Sequence, residues 1–218
     1  MNQRRDQIPK KDIMYTLVED DSQYIVNESY FYKTEPYYAI VKSENEGIIT
    51  TPSSRDVLDA YIVPICLEKA KLAGISVCDW TVSYQFVPLP AIIYGLNYFS
   101  TPSEYFLVND HDEAKKVVKH ITNHGRYPFC YQKIADTSAV TRCVSIFGRS
   151  LNCCEEVAEI AEKIYQVFKL PLVEIVMVKD NSGTYNLSSL APVKYSQLSK
   201  EEKEMLQDLL DKRVKRFE

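Results

Sequence analysis

The sequence predicts an α+β fold, with short, mostly antiparallel strands flanked by helices. Three observations lead there. Segments of helical periodicity alternate with short β-type segments along 218 residues. Tight turns, rather than crossover helices, join several of the β segments; the clearest is Asp180-Asn181-Ser182-Gly183, inside the stretch Leu172 to Pro192. Only 6 glycines occur, and neither the dinucleotide fingerprint Gly-x-Gly-x-x-Gly nor a P-loop is present, which argues against a doubly wound parallel sheet built on those motifs.

Taken in order, residues 1–12 are polar and expected to be mobile. Ile13 to Val18 and Tyr24 to Tyr32 read as strands around an Asp-Asp-Ser turn, and Tyr37 to Lys42 and Gly47 to Thr51 as two more. Ser53 or Ser54 caps a helix that carries Val57, Leu58, Tyr61, Ile65, Leu67 and Ala70, is disturbed at Pro64 and stops at Gly74. Trp80 to Phe86, Pro90 to Tyr94 and Glu104 to Val108 read as strands. Asn109-Asp110 then caps a helix from Asp112 to Thr122, with Ala114, Val117, Val118 and Ile121 on one face. Short strands follow at Phe129 to Ile134 and Arg142 to Phe147, the second closed by Gly148. Cys154 to Phe168 is an amphipathic helix, and the hairpin comes next. Ser199 and Glu202 form a capping box for a last helix carrying Met205, Leu206, Leu209, Leu210 and Val214.

Composition narrows the function classes. Hydrophobic residues at 45% and charged residues at 26% are those of an ordinary globular domain. The net charge of -4 and the lack of a basic block make nucleic acid a poor partner. No apolar run is long enough to span a bilayer, and the charged N-terminal residues have no apolar run behind them, so a cytoplasmic protein is expected. Cys66, Cys78, Cys130 and Cys143 sit among apolar residues, where free thiols act as small hydrophobes, and no zinc-type spacing occurs. Tyrosine is abundant, at 16, with Tyr15, Tyr24, Tyr30, Tyr32, Tyr37 and Tyr38 near the start. These tyrosines suit β-rich packing with hydroxyls reaching water, or an aromatic binding surface.

The order of the elements from about Asp56 resembles the ATP-grasp superfamily, in particular its glutamate-ligase-like branch, related to the enzyme that modifies a ribosomal protein. Six stretches carry the resemblance: Leu67 to Val77, Leu89 to Ser100, Glu104 to Glu113, Tyr127 to Ile134, Thr141 to Gly148, and the hairpin of Leu172 to Pro192. It implies a two-lobe architecture: a β-rich segment at 1–55 that it does not explain, and an ATP-grasp-like region at 56–218, with a central lobe at about 85–132 and a C-terminal lobe at about 133–218.

The resemblance also implies site residues. Such ligases need cations for the triphosphate and acids for magnesium. Tyr94 stands where the family carries its strand lysine. Lys133 matches a second lysine near the hinge, and Gln132, Lys133 and Ile134 fall where adenine is held, through backbone groups that place no demand on side chains. Arg142 matches the phosphate-facing arginine and is the candidate catalytic residue. Glu174 takes the place of the first metal acid, whereas the second falls at Ser189 and the metal-binding asparagine at Ala191. Each has a plainer alternative: Glu174 an acid on a half-buried strand, Arg142 a partner of Asp136, Lys133 a solvated strand residue. A phosphate-covering loop at Asn97 to Ser103 contains no glycine.

The expectation is therefore an ATP-grasp-like protein without ligase activity, a pseudoenzyme that binds a nucleotide or acts as a scaffold or subunit. One alternative is an active, divergent ATP-dependent carboxylate–amine ligase working through an acyl phosphate, with Glu174, Asp136 or Asp180 recruiting magnesium. A second is a protein-interaction module using the Tyr-rich N-terminal region. ATP and magnesium are the candidate cofactors, and a nucleotide, a protein partner or a second copy the candidate partners. Neither nucleic acid nor membrane is expected.

Overall fold

The computed structural model describes residues 14–19, 22–85, 87–97, 100–101, 104–136 and 139–214. The expectations for residues 1–12, for the Asp20-Asp21 turn and for parts of the 97–103 loop lie outside the described residues. The described chain mixes helices and strands, as the α+β reading requires, and most strand pairings are antiparallel. It forms two compact units that interleave along the chain. The first comprises Met1–Leu58, Val144–Glu174 and Pro192–Glu218, and the second Asp59–Cys143 and Ile175–Ala191.

In the first unit, β1 (Tyr15–Glu19) pairs antiparallel with β2 (Ser22–Val26), and β3 (Ile49–Thr51) lies parallel on the other side of β2. Between β2 and β3 the chain forms α1 (Glu35–Asn45), where the sequence predicts a strand at Tyr37 to Lys42. The run Tyr-Tyr-Ala-Ile-Val favours β structure locally. Thr34 and the first-turn Pro36 start a helix instead, and burial of Pro36 and Ile40, four residues apart, places both on one packed face. Leu17 and Val26 share a core with Ile146, Leu172, Val193, Leu206 and Leu210, so this unit is closed by segments far apart in sequence. α5 (Glu155–Phe168) buries Val157, Ile160, Ala161, Ile164 and Phe168, the face its periodicity marks. α6 (Lys200–Val214) has the capping box: the Glu202 carboxylate accepts from Ser199 N at 2.7 Å and Ser199 Oγ from Glu202 N at 3.1 Å.

Two of the early tyrosines, Tyr15 and Tyr24, pack on this core. Tyr30 is fully buried and Tyr15 meets Tyr195 edge-on at 6.3 Å, while Tyr24 packs against the same cluster. Tyr38 is the exposed one, at 62%.

The helix predicted around Pro64 breaks into α2 (Ser54–Tyr61) and α3 (Val63–Leu72), and Gly74 follows with φ 76°. Ile62, whose ψ of 99° is extended, separates them, as the restricted backbone near Pro64 requires. The second unit is built on a four-stranded antiparallel sheet in the order β4 (Trp80–Ser83), β7 (Phe129–Lys133), β5 (Ala91–Gly95), β6 (Tyr105–Val108). Against it packs α4 (His111–Ile121), capped by Asp110, whose carboxylate accepts from Asp112 N and Glu113 N. Val87, Ala91, Ile93, Val108, Ala114, Ile121 and Phe129 make the core. β8 (Val140–Ile146) and the hairpin strands β9 (Leu172–Lys179) and β10 (Tyr185–Ala191) form a further sheet in the order β10-β9-β8. β10 also receives the segment after α3: Cys78 N donates to Leu187 O, and Leu187 N to Ser76 O, each at 2.8 Å.

Candidate functional site

The chemistry starts at Tyr94, on β5, the central part of a sheet strand with four buried residues in succession. Its side chain is only 2% exposed. Its hydroxyl lies 2.6 Å from Ser188 Oγ of β10. Ser188 Oγ donates to Gln132 Oε1 at 2.6 Å, and Gln132 Nε2 donates to Ser188 O at 2.7 Å. The carbonyl fixes the orientation of the amide, and the amide oxygen takes the serine proton. Tyr94 is therefore the donor to Ser188. Burial pushes the Tyr94 phenol far above its ordinary range, and the Ser188 and Ser189 hydroxyls only partly oppose this. The position is a neutral, fully committed hydrogen-bond donor.

Gln132 belongs to this network rather than to a solvent-facing surface, being fully buried. Its backbone lies between two neighbours, opposite Trp80 on β4 and Ile92 on β5. Ser189 and Ala191 are each 1% exposed, packed into β10.

Arg142 lies exposed on β8, and its Nε donates to Tyr105 Oη at 2.8 Å. The guanidinium carbon sits 5.1 Å from the Tyr105 ring centre, an arrangement with cation–π character. Tyr105 stands opposite Tyr94 across β5 and β6, with ring centres 6.1 Å apart. Arg142, Tyr105 and Tyr94 therefore form one continuous chain of contacts. Glu174 is half-buried on β9, within the first unit, flanked by the buried Val173 and Ile175.

Asp180 is a turn residue. Its carboxylate accepts from Ser182 N, Ser182 Oγ and Thr184 N at 2.6–3.0 Å, and Asn186 Nδ2 approaches at 3.3 Å. The Ser182 hydroxyl, with help from the other donors, holds its carboxyl below the usual range. Gly183, with φ 92°, completes the turn. Among the described residues, no three His, Cys, Asp or Glu side chains come together as a cation site.

A pocket of about 310 Å³ opens at the end of β7. Lys133, Ile134 and Ala135 form one wall, Val178, Lys179 and Asp180 another, and Val77 to Asp79 with Asn186 the rest. The Ile134 amide is already used, donating to Pro90 O at 3.1 Å. Of the expected hinge residues, Lys133 and Ile134 line this pocket and Gln132 does not. Lys179, Asp79 and Asn186 are residues the sequence reading missed. Lys179 has a visible signal, the only cation on a β9 that is apolar apart from Glu174, whereas Asp79, between α3 and β4, and Asn186, on β10, come to the pocket only once the chain is folded.

Residues 103–209 match the family model described as RimK-like ATPgrasp N-terminal domain. No curated protein matches the chain. Among solved structures, the RimK domain ATP-grasp protein from Sphaerobacter thermophilus superposes with a TM-score of 0.62 at 14% identity, over 84% of this chain and 76% of that one. The VanG D-Ala:D-Ser ligase from Enterococcus faecalis gives 0.62 at 14% identity, over 81% of this chain and 67% of that one. The ATP-grasp ligase PsnB, solved with a variant of its minimal precursor, Mg and ADP, gives 0.53 at 12% identity, over 93% and 86%. At these identities the likeness is one of fold.

Proposed function

From a chain that has the ATP-grasp fold and is RimK-like over residues 103–209, we propose a protein that has lost ligase chemistry and keeps a nucleotide-binding pocket. The observation that carries this is the Tyr94–Ser188–Gln132 network. Phosphoryl transfer depends on fixed cations and metal ions that balance developing charge. A buried, neutral tyrosine with its hydroxyl committed to Ser188 supplies none of that charge. On the resemblance, Ser189 and Ala191 of β10 stand where two magnesium ligands would be, and neither side chain replaces them.

The fit to a nucleotide is better than the fit to magnesium. The pocket at Lys133 has apolar walls in Val77, Ile134 and Val178 for a base, and two cations, Lys133 and Lys179, for phosphate. Its volume, about 310 Å³, lies at the small end of the range for small-molecule sites. Asp79 and Asp180 on its rim oppose a highly charged ligand. The reading is therefore weak nucleotide binding that does not depend on magnesium.

Thermal unfolding with ATP, with and without magnesium, tests this. A ligand at about ten times its Kd stabilises by about 1.4 kcal/mol, or about 2–4 °C in Tm for a chain of this size. The expected result is equal stabilisation with and without the metal, reduced in Lys133→Ala/Lys179→Ala. A clear magnesium-dependent increment, or ADP release that depends on an amino-acid or peptide acceptor, sinks the proposal and restores the active-ligase alternative.

A further inference from the structure

A second, larger pocket lies elsewhere in the same unit, and nothing in the nucleotide reading uses it. It has a volume of about 540 Å³ and sits between α4 and the segment after β4. Its floor is apolar, made by Val87, Ala114 and Val118, of which Val87 and Ala114 are each 5% exposed. Its rim carries Lys115, Lys119, His111 and His124, with Tyr84 as an aromatic wall.

Two features give it a chemical preference. The first is charge. Among the described lining residues there is no Asp or Glu, although the chain as a whole carries -4. Asp112 lies outside the described lining and approaches Lys115 at a loose 3.9 Å between exposed side chains, a contact worth little in water. The second is the way His124 is held. α4 ends in a turn in which Asn123, His124 and Gly125 have φ of 48°, 61° and 83°. Thr122 Oγ1 braces it, donating to Val118 O at 2.6 Å and accepting from Gly125 N at 2.8 Å. Thr122 is fully buried and both polar functions of its hydroxyl are engaged, so it fixes the turn and leaves the imidazole of His124 at the rim.

We infer that this pocket binds a small organic anion with an apolar body, an aryl or alkyl carboxylate or phosphate. The body covers Val87, Val118 and Tyr84, and the anion meets Lys119, Lys115 and the two histidines. A volume of about 540 Å³ is within the range of small-molecule sites. An apolar floor with a few convergent polar groups is how such sites combine affinity with orientation.

The test uses the full chain, 4-phenylbutyrate and its uncharged amide as probes, and amide chemical shifts as the readout. The expected result is a saturable, millimolar or tighter response to the acid, centred on Ala114, Val118, Lys119, His124 and Gly125. The amide should bind about tenfold more weakly, the difference that about 1.4 kcal/mol of charge interaction makes. Lys115→Glu/Lys119→Glu should lose a similar factor while keeping the fold, because both side chains are exposed. Absence of a saturable response, equal binding of the amide, an unaffected double variant, or shifts centred on Lys133 and Lys179 would each overturn the inference. ATP stabilisation is measured separately and stays intact in the same double variant if the nucleotide reading holds.

Discussion

Tyr94 shows how one side chain can close a chemical route. Replacing it with phenylalanine removes the donor to Ser188 but leaves the Ser188–Gln132 pair, so Tyr94→Phe should lose about 1 kcal/mol in urea unfolding. Tyr94→Lys should instead lose about 3–5 kcal/mol, because an ammonium would enter a 2% exposed site with no carboxylate described beside it. It should therefore yield no ligase activity, read as acceptor-dependent ADP release. The buried thiols give a pH signature. Burial pushes Cys78 and Cys130 from 9.0 up to about 12 in the folded protein. The folded state then holds protons that the unfolded state releases, so these groups' contribution is constant below about pH 9 and is lost as pH rises towards about 12. Urea midpoints should be flat with respect to these groups through neutrality and fall on the alkaline side; Cys78→Ala/Cys130→Ala should flatten that fall.

At the scale of the element, local chemistry was readable wherever a cap or a turn residue fixed it. Asp110, Ser53 and Ser199 mark helix starts that the structure confirms through reciprocal or paired hydrogen bonds. Ser199→Ala should cost about 1 kcal/mol, measured as a lowered urea midpoint. Gly148 follows β8 with φ 80°, and a Cβ there would meet Tyr165 Cβ at 2.9 Å. Gly148→Ala should therefore destabilise the first unit by more than the about 1 kcal/mol of an ordinary glycine substitution, seen as a lower Tm. α1 was not readable, because two tyrosines and the Ile-Val pair outweigh a single Pro36 in any local count. Burial of Pro36 and Ile40 decides it, and burial comes from the rest of the unit.

For the whole molecule, the α+β class was legible, and so was the order of elements from β4 onward, because periodicity and tight turns report them directly. The interleaving of the units was not, since no residue at 58, 143, 174 or 191 signals a change of neighbourhood. Nor was the pocket fully legible: Lys133 and Ile134 were visible through resemblance, whereas Asp79 and Asn186 meet them only after folding. The interleaving also recasts the N-terminal tyrosines. Tyr15 and Tyr24 pack on a core that Leu206 and Leu210 complete, so deletion of residues 1–50 should unfold the first unit rather than strip away an accessory surface. Amide hydrogen exchange should show lost protection at α5 and α6 in that deletion. Retained protection there would restore the interaction-module alternative.

The same interleaving bears on how the chain is made. Translation releases residues in order, at about 5–20 per second, and domains ordinarily fold as they emerge. Here the second unit lacks β10 until residue 191 has been released, and the first lacks α6 until still later. Apolar surface such as Leu17 and Val26 must wait uncovered for most of synthesis. Nascent chains stalled on the ribosome short of α6 should thus engage chaperones and resist compaction, with native protease resistance arriving late and abruptly.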